Sequence, residues 1–267
     1  MDTPPPIHVE LRDVTKVFDS RLGRIEALGP IDLELRQGEF FAVVGPSGCG
    51  KSTMLDIIAA LASPSSGTIT FEGHSIGKSV PDGVGVVFQE NACFPWLNVA
   101  DNIIFGLRRQ PLDRNEIGRR LQYALQLMGL GDFAHAFPSQ LSGGMRQRVC
   151  IARTLVMQPR LILLDEPFGA LDQQTRLLMG DELLRIWRAT GATVLLITHA
   201  LDEAAMLADR VAVMSARPGR IMEIIETAWP RDRDSQIVSA PQFGAVTARL
   251  WTRLRAQSIQ ALQPGAS

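Results

Sequence analysis

The feature that most restricts this chain is Gly45-Pro46-Ser47-Gly48-Cys49-Gly50-Lys51-Ser52, which matches G-x-x-x-x-G-K-[ST] at every position and runs on into Thr53. A buried-strand run, Glu39 to Val44, precedes it, and a segment with helical spacing, Met54 to Leu61, follows. Strand, glycine-rich turn and helix in that order make a phosphate-binding unit. The glycines let successive backbone N–H groups turn inward as an anion nest. The helix that follows points its positive end at the same place. Lys51 can bridge the β- and γ-phosphates of ATP, and Ser52 can ligate Mg²⁺. With 24 arginines but only three lysines in the chain, a lysine at this position stands out. Cys49 lies inside the loop, so thiol alkylation is expected to block ATP binding, and ATP to protect against it.

The rest of the chain supplies a matching architecture. Residues 7–18 and 31–36 alternate as strands, and 66–71 and 84–88 read as further short strands. From about 90 to 158 helical segments dominate (99–109, 114–129 and 142–157), which predicts an inserted helical subdomain. Alternation then resumes with a strand at 161–165, a helix at 172–189, a strand at 194–198, a short helix at 201–208 and strands at 210–215 and 220–226. Strands alternating with helices imply an α/β fold with a largely parallel sheet. The expected organisation is one domain over 1–230 and a short helical tail over 231–267, whose arginines read as a solvated face.

Leu161-Ile162-Leu163-Leu164 ends in Asp165-Glu166, placing two carboxylates at the C-terminal end of a strand, where α/β sheets bind ligands. Asp165 is placed to hold Mg²⁺, directly or through water. Glu166 can orient and deprotonate an attacking water.

Leu141-Ser142-Gly143-Gly144-Met145-Arg146-Gln147-Arg148 lies just before that acidic strand. With Gln89, Ala170-Leu171-Asp172 and His199 in order, the chain resembles the ATP-binding subunit of ABC transporters over essentially 7–226. The resemblance implies a P-loop NTPase with a RecA-like core, an N-terminal antiparallel β subdomain and the helical insert. It implies that Ser142, Gly143 and Gly144 act in trans, completing the ATP site of a second copy, so that the working unit is a dimer. Met145 departs from the family, where many members carry Gln; little contact is lost if the backbone amides and Ser142 bind the phosphate. By the same resemblance Gln89 senses the γ-phosphate and Mg²⁺, His199 contacts the γ-phosphate and Asp172 belongs to a cross-dimer loop. Phe18 sits where an aromatic usually stacks on adenine; as part of an alternating strand it also reads as a core residue.

No apolar run approaches the roughly 20 residues of a membrane-spanning helix, and the N-terminus has no signal-peptide pattern. The resemblance therefore implies separate permease subunits, an indirect link to a solute-binding protein and a peripheral position on the cytoplasmic face of the membrane. Phe94-Pro95-Trp96-Leu97-Asn98-Val99 and 213–221 are similar to the importer branch for nitrate, sulfonate and taurine. The first segment is expected to form the groove that meets the permease, with Trp96 in it or buried beneath it. A net charge of −1 gives no support to nucleic-acid binding. Lipid or export ATPases, and soluble ABC ATPases, share the same engine. Cys93 and Cys150 read as small buried or incidental residues.

Overall fold

The alternating N-terminal stretches pair with each other. Strand β1 (Ile7–Ser20) lies antiparallel to β2 (Gly23–Arg36) and to β4 (Ser66–Phe71), and a two-residue strand, β5 (His74–Ser75), completes the order β2-β1-β4-β5. The computed structural model describes residues 5–20, 23–89, 92–169 and 171–262, so Ala170 of the expected Ala170-Leu171-Asp172 motif lies outside the described residues. Strand β2 begins eight residues earlier than alternation suggests. Pro30 obscured it, since proline cannot donate to a ladder, but β2 is an edge strand and tolerates the loss.

The second sheet carries β3 (Phe40–Val44), β6 (Val84–Val87), β7 (Leu161–Asp165), β8 (Thr193–Thr198), β9 (Arg210–Met214) and β10 (Ile221–Glu226) in the order β10-β9-β3-β8-β7-β6. All neighbours are parallel except β9 and β10. Every residue of β3 and β8 is buried, which explains their unbroken apolar sequences. Phe40, Ala42, Val44, Val194 and Leu196 pack on one face with the helical layer. Phe41, Val43, Leu195 and Ile197 pack on the other with α1 (Lys51–Ile58) and the inner face of the antiparallel sheet.

Among the described residues, three α-helices lie between β6 and β7: α2 (Val99–Ile104), α3 (Arg114–Leu127) and α4 (Gly143–Leu155). Each starts on a side chain that accepts a backbone N–H, from Asn98, Asp113 and Ser142 respectively. The expected helix at 99–109 is two pieces, because a 3₁₀ turn, Gly106–Arg109, follows α2. Helices α5 (Gln173–Thr190) and α6 (Leu201–Leu207) flank β8 in sequence, and Gly191 ends α5 at φ 65°.

The last helix, α7 (Pro241–Leu262), buries Phe243, Leu250 and Leu254 against the body. Its arginines Arg249, Arg253 and Arg255 are exposed, as expected of a solvated face, whereas Arg233 before it is not. Arg249 and Arg253 both pair with Glu223, and Arg233 is buried, donating to Asp209 at 2.8 Å. Sequence reasoning missed this because the acidic partners lie on β10 and before β9. No helix among the described residues is long and apolar enough to cross a membrane.

Candidate functional site

The sheet order builds the site. Strands β3, β8, β7 and β6 are adjacent and parallel, so their C-terminal ends share one edge. The loop from Gly45 leaves β3, His199 follows β8, Asp165-Glu166 ends β7 and Gln89 follows β6. Residues spread over more than half the chain thus arrive at one place.

Gly48 and Gly50 adopt φ of 74° and 107°, and a Cβ on Gly50 would lie 2.7 Å from Leu28 and 2.8 Å from the Ala27 carbonyl. Only glycine fits there. Pro46 is buried, Ser47 and Gly48 are exposed, and Gly50 stands at the N-cap of α1 with no side-chain cap. The first N–H groups of α1, from Lys51 through Thr53, therefore face the loop. Lys51 is buried, and its Nζ donates to the carbonyls of Gly45 and Pro46, both at 2.9 Å. Cys49 is buried as well, and burial, the largest cause, pushes its thiol above the usual range against the pull of Lys51. The thiol on which the alkylation prediction rests is thus both shielded and held protonated, so it reacts slowly.

Ser52 Oγ donates to Asp165 Oδ1 at 3.1 Å. Burial pushes the Asp165 carboxyl up; Ser52 opposes this, and neighbouring Glu166 and Asp56 add to it. Glu166 sits at φ 45°, a left-handed conformation that costs a non-glycine residue about 1 kcal/mol or more. Its N–H bonds the Ile197 carbonyl at 2.8 Å, which pins the turn to β8. Its Oε2 accepts from Gln89 Nε2 at 3.1 Å and lies 3.1 Å from His199 Nδ1. Gln89, Glu166 and His199 form one polar group, and Ser52 and Asp165 form another beside it. Hydroxyl, carboxylate and amide oxygens are hard donors that suit Mg²⁺, and a carboxylate disfavoured by burial is one that a dication stabilises.

Ser142, Gly143 and Gly144 open α4, and Ser142 Oγ accepts the Met145 N–H at 3.2 Å. Among the described residues no hydrogen bond joins them to the phosphate loop. Gly144 lies instead beside Leu171 and Thr175. Asp172 caps α5, accepting from the Thr175 N–H at 3.0 Å and the Thr175 hydroxyl at 2.7 Å, and these bonds hold its carboxyl below the usual range. Phe18 is an exposed residue on β1 rather than a core one, with Lys16 Nζ 5.0 Å from its ring centre.

Two contributors escaped the sequence. Arg217, in the β9–β10 turn, donates to the Gly48 carbonyl from Nη2 at 3.0 Å and Nε at 3.3 Å. Glu203 of α6 is buried and accepts the Thr198 hydroxyl at 2.7 Å, while Thr198 Oγ1 also accepts the Ala200 N–H at 3.0 Å. Those bonds bracket His199. Burial pushes the Glu203 carboxyl up to about 7.

Trp96 is 70 % exposed, which corrects the expectation that it could lie beneath the surface. Its ring is 5.6 Å from Phe94, itself 4.5 Å from Phe105. Fully buried Asn102 holds this loop, accepting the Phe94 N–H at 2.8 Å and donating to the carbonyls of Phe94, Leu97 and Asn98.

Comparison with known proteins follows the same lines. The sequence profile of the ABC transporter family matches residues 28–169. The chain is 39% identical to the nitrate import ATP-binding protein of Synechocystis sp. over 98% of this chain and 100% of that one. It is 42% identical to the taurine import ATP-binding protein of Ruegeria pomeroyi over 80% of each. An ATP-binding cassette solved as a dimer in a post-hydrolysis state with ADP and Pi superposes with a TM-score of 0.73, at 31% identity, over 83% of this chain and 100% of that one.

Proposed function

Because the chain belongs to the ABC transporter family, we propose that it is the ATP-hydrolysing subunit of an import complex for a small anionic or zwitterionic solute of the nitrate, sulfonate or taurine kind. The observation that supports hydrolysis most directly is the Glu166 carboxylate with Gln89 and His199 each 3.1 Å away. A carboxylate so placed can orient a water and take its proton. Lys51 exchanges its two loop carbonyls for β- and γ-phosphate oxygens, and the amides of 48–53 receive the remaining phosphate charge. Ser52, Asp165 and Gln89 hold Mg²⁺, which when bound supplies charge neutralisation on the phosphates. His199 positions the γ-phosphate, and Gln89 links its presence to the loop ahead of Trp96. Phe18 offers its face to the adenine.

The assembly follows from the same reading. Ser142, Gly143 and Gly144 serve the ATP of a second copy, and Asp172 lies beside them, so two copies enclose two nucleotides. Similarity to a cassette solved as a dimer supports this. The exposed Phe94–Trp96 loop meets a separate membrane permease, which places the subunit peripherally on the cytoplasmic face, and a solute-binding protein delivers the cargo. No nucleic acid takes part.

The test is reconstitution with permease and solute-binding protein in vesicles. ATP-driven uptake of nitrate, taurine or an alkanesulfonate is expected. ATP hydrolysis with no uptake of any of these solutes, or uptake indifferent to ATP, overturns the assignment.

A further inference from the structure

The chain carries three free thiols, Cys49, Cys93 and Cys150. The last two meet. Cys93 Sγ and Cys150 Sγ are 3.5 Å apart, although 57 residues separate them in sequence. Their contact is held by neighbours other than the sulfurs. Arg153 Nη1 donates to the Ala92 carbonyl at 2.7 Å, and its guanidinium lies 5.0 Å over the Phe94 ring, so one side chain clamps both flanks of Cys93 to α4. Cys93 Sγ is also 3.4 Å from the Arg146 carbonyl.

We propose that Cys93 and Cys150 are an oxidisable dithiol that closes into a disulfide, tying the loop between Gln89 and Trp96 to the helix that begins at Ser142. A disulfide needs the sulfurs about 2 Å apart, so the pair must close by roughly 1.5 Å, which side-chain rotation can supply while Arg153 keeps the backbones together. The chemistry favours the same pair. The S–H of Cys93 and the charge of Arg153 hold the Cys150 thiol below its usual range despite its burial, and the same contact pushes Cys93 up. Cys93 is only half-buried, so a small reagent reaches the pair from its side.

A peroxide is the oxidant. The Cys150 thiol, the more acidic of the two, first gives its proton to water. The Cys150 thiolate attacks a peroxide oxygen, an S–O bond forms, the O–O bond breaks, and the hydroxide released takes up that proton to become water. Cys93 then gives up its proton and attacks the sulfenic sulfur of Cys150. The S–S bond forms, the S–O bond breaks and a second hydroxide leaves as water. Two thiols have lost two electrons and two protons, and one hydrogen peroxide has gained them. A dithiol reductant reverses the bond by exchange. In a reducing compartment such a bond is transient and suited to sensing.

The consequence for turnover rests on the hydrolase reading above; formation of the bond does not. The full-length chain is treated with hydrogen peroxide, alkylated, digested without reduction and analysed by mass spectrometry. Peptides containing Cys93 and Cys150 are expected as one cross-linked species that dithiothreitol separates, leaving only Cys49 free to alkylate in the unfolded chain. Cys93→Ser and Cys150→Ala should each abolish it; the first changes a half-buried position and guards against misfolding of the second. Oxidation of Cys93 to sulfinic acid with Cys150 still a thiol, or cross-links only between chains, overturns the proposal. In parallel, oxidised wild-type protein should lose ATP hydrolysis that dithiothreitol restores, whereas Cys93→Ser should not respond. If the bond forms and turnover is untouched, its role as a tie on the Gln89 loop is refuted. Reduced protein with no ATPase at all would instead contradict the hydrolase reading.

Discussion

His199 Nδ1 lies 3.1 Å from Glu166 Oε2, across the ends of neighbouring parallel strands, and Glu166 holds that position from a left-handed backbone. Strain of this kind persists only where surrounding bonds over-determine it. Here the Glu166 N–H is fixed to the Ile197 carbonyl, and Gln89 reaches the same carboxylate oxygen from the other side.

Lys51 should govern nucleotide affinity. Its ammonium makes two charged hydrogen bonds inside the loop and is buried. Lys51→Ala removes the cation from the phosphate nest and leaves two carbonyls short of a partner. Bonds to charged groups are worth about 1.5–3 kcal/mol, so the Kd for ATP should rise by roughly 10- to 100-fold, as read by fluorescent-nucleotide titration. Unchanged affinity would remove Lys51 from the site.

Arg217 should act on the same loop from outside. Arg217→Ala deletes the two donors to the Gly48 carbonyl. The loop stays folded through its glycines but loses about 1 kcal/mol of restraint, so KM for ATP should rise several-fold while kcat holds. Steady-state ATPase kinetics separate the two constants; a fall in kcat alone contradicts a role in binding.

Glu203 gives a pH signature. Its carboxyl is raised to about 7 by burial, above its ordinary unfolded value, so the folded state favours the proton. Stability from this group is complete below the unfolded value and declines as pH rises, levelling off above about 7. Glu203→Gln keeps an acceptor for Thr198 and abolishes the titration. Relative to wild type it should match near pH 4.5 and gain, at most, about 3 kcal/mol by pH 8, as measured by urea unfolding across that range. Parallel profiles for the two proteins would show that Glu203 does not titrate in this window.

Much of the site was readable because its chemistry is local. The phosphate loop and Asp165-Glu166 each occupy consecutive residues, and strand ends fix where they point. Arg217 and Glu203 were invisible for the opposite reason: Arg217 meets a carbonyl 169 residues away, and Glu203 acts by capping the strand end before His199. The contact of Cys93 with Cys150 likewise depends on a loop folding back on a helix. Sequence position also misjudged exposure, since Cys49 sits in a surface loop with its thiol packed inward, whereas Trp96 projects outward from a loop that Asn102 anchors. Pro30 disguised half of an edge strand, because ladder position, which decides whether a missing donor matters, is a property of the sheet.

Trp96 should matter to assembly. With 70 % of its surface exposed beside Phe94, it has the character of a central anchor at an interface. Trp96→Ala should weaken permease binding by about 2 kcal/mol, near 30-fold, in a detergent-solubilised pull-down titration. Binding at wild-type affinity would move the permease contact elsewhere.

The central claim is that Glu166 supplies the base for ATP hydrolysis in a site that two copies complete. The most direct measurement is turnover and ATP-dependent self-association of Glu166→Gln, by phosphate release and by light scattering. The account predicts a loss of turnover of about 10²- to 10⁴-fold together with a dimer that accumulates when ATP is present. Undiminished turnover, or a variant that stays monomeric at saturating ATP, would contradict it.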